Sequence, residues 1–190
     1  MSAEPIIARL AAGVASFAAA DWDRCAGDGD PFVSHAFLSA LEESRSAAAA
    51  TGWQPLPVAI DGPDGRPDAV LPAYVKSHSQ GEYVFDHGWA DAWERAGGSY
   101  YPKLQIAVPF TPVPGRRLLA REPVLAPALI AAAERVVAAH ALSSAHACSG
   151  ADRNSCSPRP RRLRCSTISL RRTSPSSTRT ARASASGATG

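Results

Sequence analysis

The stretch from Leu71 to Leu119 most constrains what this chain can become. Pro, Gly, Trp, Tyr and His recur through it at short intervals, and only brief apolar runs separate them. Proline removes a backbone donor and glycine loosens the chain, so such a segment is not written as a simple helical core. It reads as short strands and loops. Glu82 to His87 fits one short strand and Lys103 to Val108 another. Between them, Ala90 to Ala96 fits a short helix ended by Gly97-Gly98.

The flanking sequence supplies the remaining elements of an α/β pattern. Pro5 to Leu10 predicts a first strand, and Ala18 to Ala26 a helical turn anchored by Trp22. Asp28-Gly29-Asp30-Pro31 breaks the chain, after which Ser34 caps a helix running to about Ser44, with Phe37, Leu38 and Leu41 on one face. Leu56 to Ile60 and Ala69 to Lys76 form a hairpin around the turn signals of Asp61 to Arg66, with Pro72 marking an edge or a bulge. Thr111 to Arg117 is a Pro/Gly loop. A long helix covers Leu125 to His140, with Leu125, Leu129, Ala133 and Val136 inward and Glu134 and Arg135 outward, and a further strand starts at Ser143 to Ala147.

At residue 148 the composition changes. Residues 1–147 carry eleven Lys and Arg against sixteen Asp and Glu, a net −5, whereas 148–190 carry nine Arg and one Asp, a net +8. The overall +3 therefore describes neither part, and a nucleic-acid-binding reading would rest on the tail alone. That tail holds only Leu163, Ile168 and Leu170 as larger aliphatics and no aromatic residue, too little apolar surface to offset the entropy of ordering it. It is expected to be disordered. An Arg/Ser-rich segment that binds RNA is one origin; translation out of frame from a GC-rich gene is the other, and is preferred because the change begins inside a predicted strand. Cys25 is alone in the body as a small core residue, and Cys148, Cys156 and Cys165 have neither metal-site nor disulfide spacing. No apolar run is long enough for a membrane span and no secretory leader is present, so a cytoplasmic protein with no membrane partner is expected.

Several local runs resemble one family. They are Ser77-His78-Ser79 with Gly81-Glu82-Tyr83-Val84-Phe85-Asp86-His87, then Trp89-Ala90-Asp91-Ala92-Trp93, Tyr100-Tyr101-Pro102-Lys103-Leu104-Gln105, and Pro109-Phe110-Thr111 through Leu119. Asp21-Trp22-Asp23 and Asp30-Pro31-Phe32 extend the likeness toward the N-terminus, and it runs to about Ala147. These runs are similar to the FemAB-like predicted N-acyltransferases, often labelled peptidoglycan biosynthesis or recognition proteins of bacteria. The resemblance implies a GNAT-type fold: a mixed, largely antiparallel sheet with flanking helices. Residues 1–147 would be its N-terminal domain, truncated and incomplete, and 148–190 a frameshifted tail, because the family continues in frame through a second GNAT-like half.

The resemblance also implies where chemistry belongs. The order of strand 103–108, loop 111–117 and helix 125–140 matches a GNAT strand, phosphate loop and helix, although Pro112-Val113-Pro114-Gly115-Arg116 departs from the usual Q/R-x-x-G-x-G/A loop. Gly115, Arg116 and Arg117 are the expected cofactor-binding residues, holding the pyrophosphate of an acyl-CoA donor, or else a turn glycine and two solvated arginines. No cofactor is expected to be resident, and aminoacyl-tRNA is the other donor. Glu82, Asp86 and His87 are the catalytic candidates, one accepting the proton of the acceptor amine, or else pins for the glycine-rich turns. His78, Glu82 and His87 do not make a metal site on a strand, where Glu82 and Asp86 share one face and His87 takes the other.

Tyr100 and Tyr101 are substrate-binding candidates. Together with Trp89 and Trp93 they would form a cleft wall for an amino sugar or peptide, but Trp89 and Trp93, four apart, are expected instead to pack one helix face on the sheet. Lys103 is expected to be solvated, and Trp53 to anchor the core. His35, His140 and His146 are isolated. No Ser-His-Asp order, Walker loop or dinucleotide motif is present. The leading expectation is an N-acyltransferase moving an acyl or aminoacyl group to an amine, with this truncated chain inactive. The alternatives are a non-catalytic peptidoglycan or glycan recognition module that uses an aromatic cleft, and an RNA-associated protein that uses its tail.

Overall fold

The computed structural model of the protein describes residues 6–82, 86–147 and 169–172. Strand β1 (Ile7–Leu10) leads through a 3-10 turn to α1 (Ala19–Ala26) and, after a second such turn, to α2 (His35–Glu43). Trp22 anchors α1 as expected: it is fully buried, and its indole Nε1 donates to Val33 O at 2.8 Å, tying α1 to the approach to α2. Ser34 caps α2 by accepting the Phe37 N–H at 3.3 Å.

The predicted hairpin is present, but each arm is divided. The chain forms β2 (Trp53–Pro55), β3 (Val58–Asp61), β4 (Pro67–Leu71) and β5 (Ala73–Lys76). β3 pairs with β4 and β2 with β5, so one hairpin passes through two sheets. The division falls at Pro57 and Pro72, which lack the N–H that would continue a ladder. Leu56 N–H donates to Ala73 O at 2.8 Å and bridges the bend. One strand over Leu56 to Ile60 and one over Ala69 to Lys76 were expected; the second is divided, and Pro72 marks the crossing from one sheet to the other.

After α3 (His87–Arg95) come β6 (Lys103–Ile106), β7 (Leu119–Ala120), α4 (Ala126–Ala139) and β8 (Ala145–Ala147). The first sheet has the order β7-β4-β3-β1, with β9 (Ser169–Arg172) parallel to β1; the second has the order β2-β5-β6-β8. Among the described residues only β1–β9 and β6–β8 are parallel, so the architecture is mixed α/β and largely antiparallel. The four residues of β9 lie within the segment expected to be disordered, and they are strand; the rest of that tail lies outside the described residues. So do Tyr83-Val84-Phe85, the centre of the strand expected at Glu82–His87; of its flanks, Glu82 is in no regular element and His87 opens α3.

One helix joins the two sheets. Leu129, Ala132, Ala133 and Val136 of α4 share a core with Ala8, Val58, Ile60, Ala69 and Leu71 of the first sheet and Ala73, Leu104 and Ile106 of the second. The opposite face of the first sheet, including Ala59, Val70 and Leu119, packs against Phe17, Trp22, Cys25 and Leu38. Among the described residues no helix is long and apolar enough to cross a membrane. Because Leu129 is fully buried where both sheets meet α4, Leu129→Ala should lower stability by about 2–5 kcal/mol in denaturant unfolding. A loss below about 1 kcal/mol would show that α4 is not the common support.

Candidate functional site

The second sheet has two unlike faces, and this follows from strand alternation. Ala73, Val75, Leu104 and Ile106 point toward α4. The register places Lys76 directly opposite Lys103, Tyr74 opposite Gln105, Trp53 beside Lys76 and His146 beside Gln105, all on the other face. That face is polar yet buried: Lys76 is 0% exposed and Lys103 1%. The segment 77–82, α3 and the following loop supply its partners. Lys103 is therefore not solvated, as its sequence context suggested; it is the centre of the site.

The Lys103 ammonium lies 2.5 Å from Asp86 Oδ2 and 3.1 Å from each oxygen of Glu82. It also sits 5.3 Å from the Tyr100 ring centre and 5.4 Å from that of Tyr101. Tyr101 donates its hydroxyl to Asp86 Oδ1 at 2.6 Å. Four of the residues singled out from sequence, Glu82, Asp86, Tyr100 and Tyr101, thus converge on one amine. His87 stands beside them on the exposed start of α3, with Nδ1 3.1 Å from Ser79 Oγ. Lys76 has a different setting. Its ammonium donates to Gln80 O at 2.7 Å and lies 4.2 Å from the centre of the Trp53 ring.

These surroundings move the titrating groups in opposite directions. Burial holds Glu82 above the usual carboxylate range, against the pull of Lys103. Burial would also raise Asp86, but the hydrogen bonds from Lys103, Tyr101 and Tyr100 outweigh it and keep that carboxyl below its ordinary value. Burial lowers Lys76 to about 8. It also depresses His146, with the Lys103 charge adding to the effect, and raises the Tyr101 phenol, with its bond to Asp86 adding. Two neighbouring carboxylates pushed apart in this way are suited to separate roles, one exchanging protons and one staying ionised. Glu82, moved up, and Lys76, moved down, are also closer in proton affinity than free side chains would be. Among the described residues no group of His, Cys, Asp and Glu is arranged to hold a metal ion.

The second predicted cluster is arranged differently. Arg117 is buried and donates to Val113 O at 2.6 Å and Arg116 O at 2.9 Å, with Asp30 Oδ2 3.5 Å away. Arg116 donates to Ala120 O at 3.0 Å. The Asp30 carboxylate lies over Gly115, where a Cβ would come within 2.3 Å of it. In this conformation Gly115, Arg116 and Arg117 hold their own loop and face an acid, and β7 and a 3-10 turn at Pro123–Leu125 stand between that loop and α4. Trp89 and Trp93 also differ from expectation: they are 69% and 54% exposed, and Ala90 alone of α3 is buried.

The residues that sequence reasoning missed, Lys76 and Lys103, had a signal in their alternation. Tyr74-Val75-Lys76 and Lys103-Leu104-Gln105-Ile106 each interleave polar and apolar positions across a strand pair. Lys103→Met would leave Glu82 and Asp86 buried without their cation, and should cost about 3–5 kcal/mol in denaturant unfolding. Lys76 tests the cluster through pH. With a folded pKa near 8 and an ordinary value of 10.5, the unfolded state binds more protons between these limits, so wild-type stability gains as pH rises from about 8 to 10.5. Relative to Lys76→Met, the wild type should gain thermal stability across that window. A constant difference would show that Lys76 is not depressed.

No curated protein and no solved structure matches the chain. The FemAB-like family, described as peptidoglycan biosynthesis/recognition, matches residues 13–158, a span that includes Glu82, Asp86, Lys103 and every other member of this cluster. The chain belongs to the FemAB-like family of peptidoglycan biosynthesis/recognition proteins.

Proposed function

We propose that the protein, expected from its sequence to be truncated and inactive, transfers an acyl or aminoacyl group to an amine with Glu82 as the proton acceptor, because residues 82–103 carry the whole charged cluster around Lys103. The observation that carries this reading is the pair of unequal carboxylates on one buried lysine, with Glu82 held up by burial and Asp86 held down by Lys103 and Tyr101. A base with a raised pKa is better matched to an amine's proton near neutral pH than an ordinary carboxylate. Asp86 stays ionised and fixes Lys103, while Tyr100 and Tyr101 would flank the acceptor as it reaches Glu82. His87, at the rim, would guide the incoming group.

In the step itself the acceptor nitrogen attacks the acyl carbonyl carbon and a C–N bond forms. The C–S bond of an acyl-CoA thioester, or the C–O bond of an aminoacyl-tRNA ester, breaks. Glu82 takes the proton released by nitrogen, and the departing thiolate, or the ribose alkoxide of the tRNA, takes one from water. Donor phosphates at Gly115, Arg116 and Arg117 would require Asp30 to move off the glycine.

The test pairs acetyl-CoA, and separately a labelled aminoacyl-tRNA, with a peptide bearing a free ε-amine. Glu82→Gln should lower kcat by roughly a hundredfold or more with little change in KM. The wild-type rate should rise with pH through the raised pKa of Glu82, and that limb should vanish in the variant. Transfer at wild-type kcat by Glu82→Gln, or no transfer from either donor by the wild type, would overturn the reading.

A further inference from the structure

The most exposed aromatic surface of the described chain lies on the same short element as Asp86. Trp89 and Trp93 are four residues apart on α3, hence neighbours on one side, about 6 Å apart along the axis. A nine-residue helix that buries only Ala90 gains little from packing. It is held at its start by Asp86, through Lys103 and Tyr101, and at its end by the turn at Gly97 and Gly98. The Trp93 indole lies against Gly98: a Cβ there would come within 2.2 Å of Nε1. One edge of the ring therefore rests on bare backbone. Gly97, at φ 83°, makes the turn that puts that backbone under the ring. Around the two rings the helix presents Asp91, Glu94 and Arg95, all exposed.

We propose that Trp89 and Trp93 form a stacking platform for the sugar rings of an N-acetylated glycan, and that this glycan carries the acceptor amine to Glu82. The second clause rests on the acyl-transfer reading above; the first does not. An indole face is electron-rich and matches the polarised C–H groups on the flat side of a pyranose. The carboxylates and guanidinium beside it supply hydrogen-bond partners for hydroxyl and amide groups.

The area also fits a ligand of two or three sugar rings. The two indoles offer on the order of 300 Å² of stacking surface, well short of the ~800 Å² per partner of a stable protein interface. The family description, peptidoglycan biosynthesis/recognition, names a polymer of N-acetylated sugars carrying peptides. The Trp pair is joined directly to the charged cluster, since Asp86 immediately precedes the first turn of α3. A sugar on the platform would thus leave its amine-bearing substituent near Lys103, Glu82 and Tyr101.

The experiment titrates the full chain with the trisaccharide of N-acetylglucosamine, with no acyl donor present, by calorimetry and by tryptophan fluorescence. Saturable binding is expected, weakened at least tenfold by Trp89→Ala and by Trp93→Ala, and largely kept by Trp89→Phe. Both tryptophans are exposed, so the alanine variants should retain the wild-type circular dichroism. No saturable binding by the wild type, or equal binding by the alanine variants, would overturn the platform. So would a wild-type dimer in sedimentation that Trp89→Ala or Trp93→Ala disperses, since a second copy would then be the occupant. Binding without any acyl transfer would remove the transfer reading and leave the platform standing.

Discussion

The buried ammonium of Lys103 is the interaction on which this site depends. It gathers two carboxylates from the segment that follows the second sheet's β5: Glu82 in the loop and Asp86 at the start of α3. An ion pair this deep gains little net stability over apolar residues of the same volume, because removing both charges from water costs nearly what their attraction returns. What it does here is fix geometry. Without it the start of α3 would be held by the Tyr101–Asp86 and Ser79–His87 hydrogen bonds and by Ala90, and the two carboxylates would lose the cation that brings them together.

The cluster can be buried because the second sheet separates its duties by face. Leu104 and Ile106 complete the core under α4, so Lys103 and Gln105 point the other way and are buried among polar and aromatic groups instead. The prolines at 57 and 72 are part of the same arrangement. They end the ladders of the first sheet and let β2 and β5 pair in the second, which brings Trp53 against Lys76 and places Lys76 opposite Lys103.

Much of this frame was legible in the sequence, and the reasons are local. Ser34 before an apolar-periodic run announces α2. The period of Leu129, Ala133 and Val136 announces α4, and the turn residues 61–66 announce the hairpin. The grouping of Glu82, Asp86, Tyr100 and Tyr101 was also readable, because they lie in runs that resemble the FemAB-like family.

Less was legible where tertiary context decides. A proline between two strand-like runs does not say whether it bulges one sheet or separates two. A lone lysine next to a proline is ordinarily solvated, and only its cross-strand partner and its two distant acids reverse that. Trp89 and Trp93 have the spacing of a packed helix face; their exposure depends on how little of α3 meets the sheets. Gly115, Arg116 and Arg117 looked available for a phosphate, but the sequence could not reveal that Asp30, far away in the chain, lies over the glycine.

Proton transfer at this site depends on the unequal environments of the two acids. Carboxyl carbon chemical shifts of Glu82 and Asp86, followed by NMR from pH 2 to pH 9 and assigned with Glu82→Gln and Asp86→Asn, measure this directly. Their titrations are coupled, so the pair should show one step below the ordinary carboxylate range and one above it. The upper step should be carried mainly by Glu82, and it should persist in Asp86→Asn. Both carboxyls titrating together near 4, as solvated side chains do, would contradict the account and leave Lys103 a structural ion pair with no part in proton transfer.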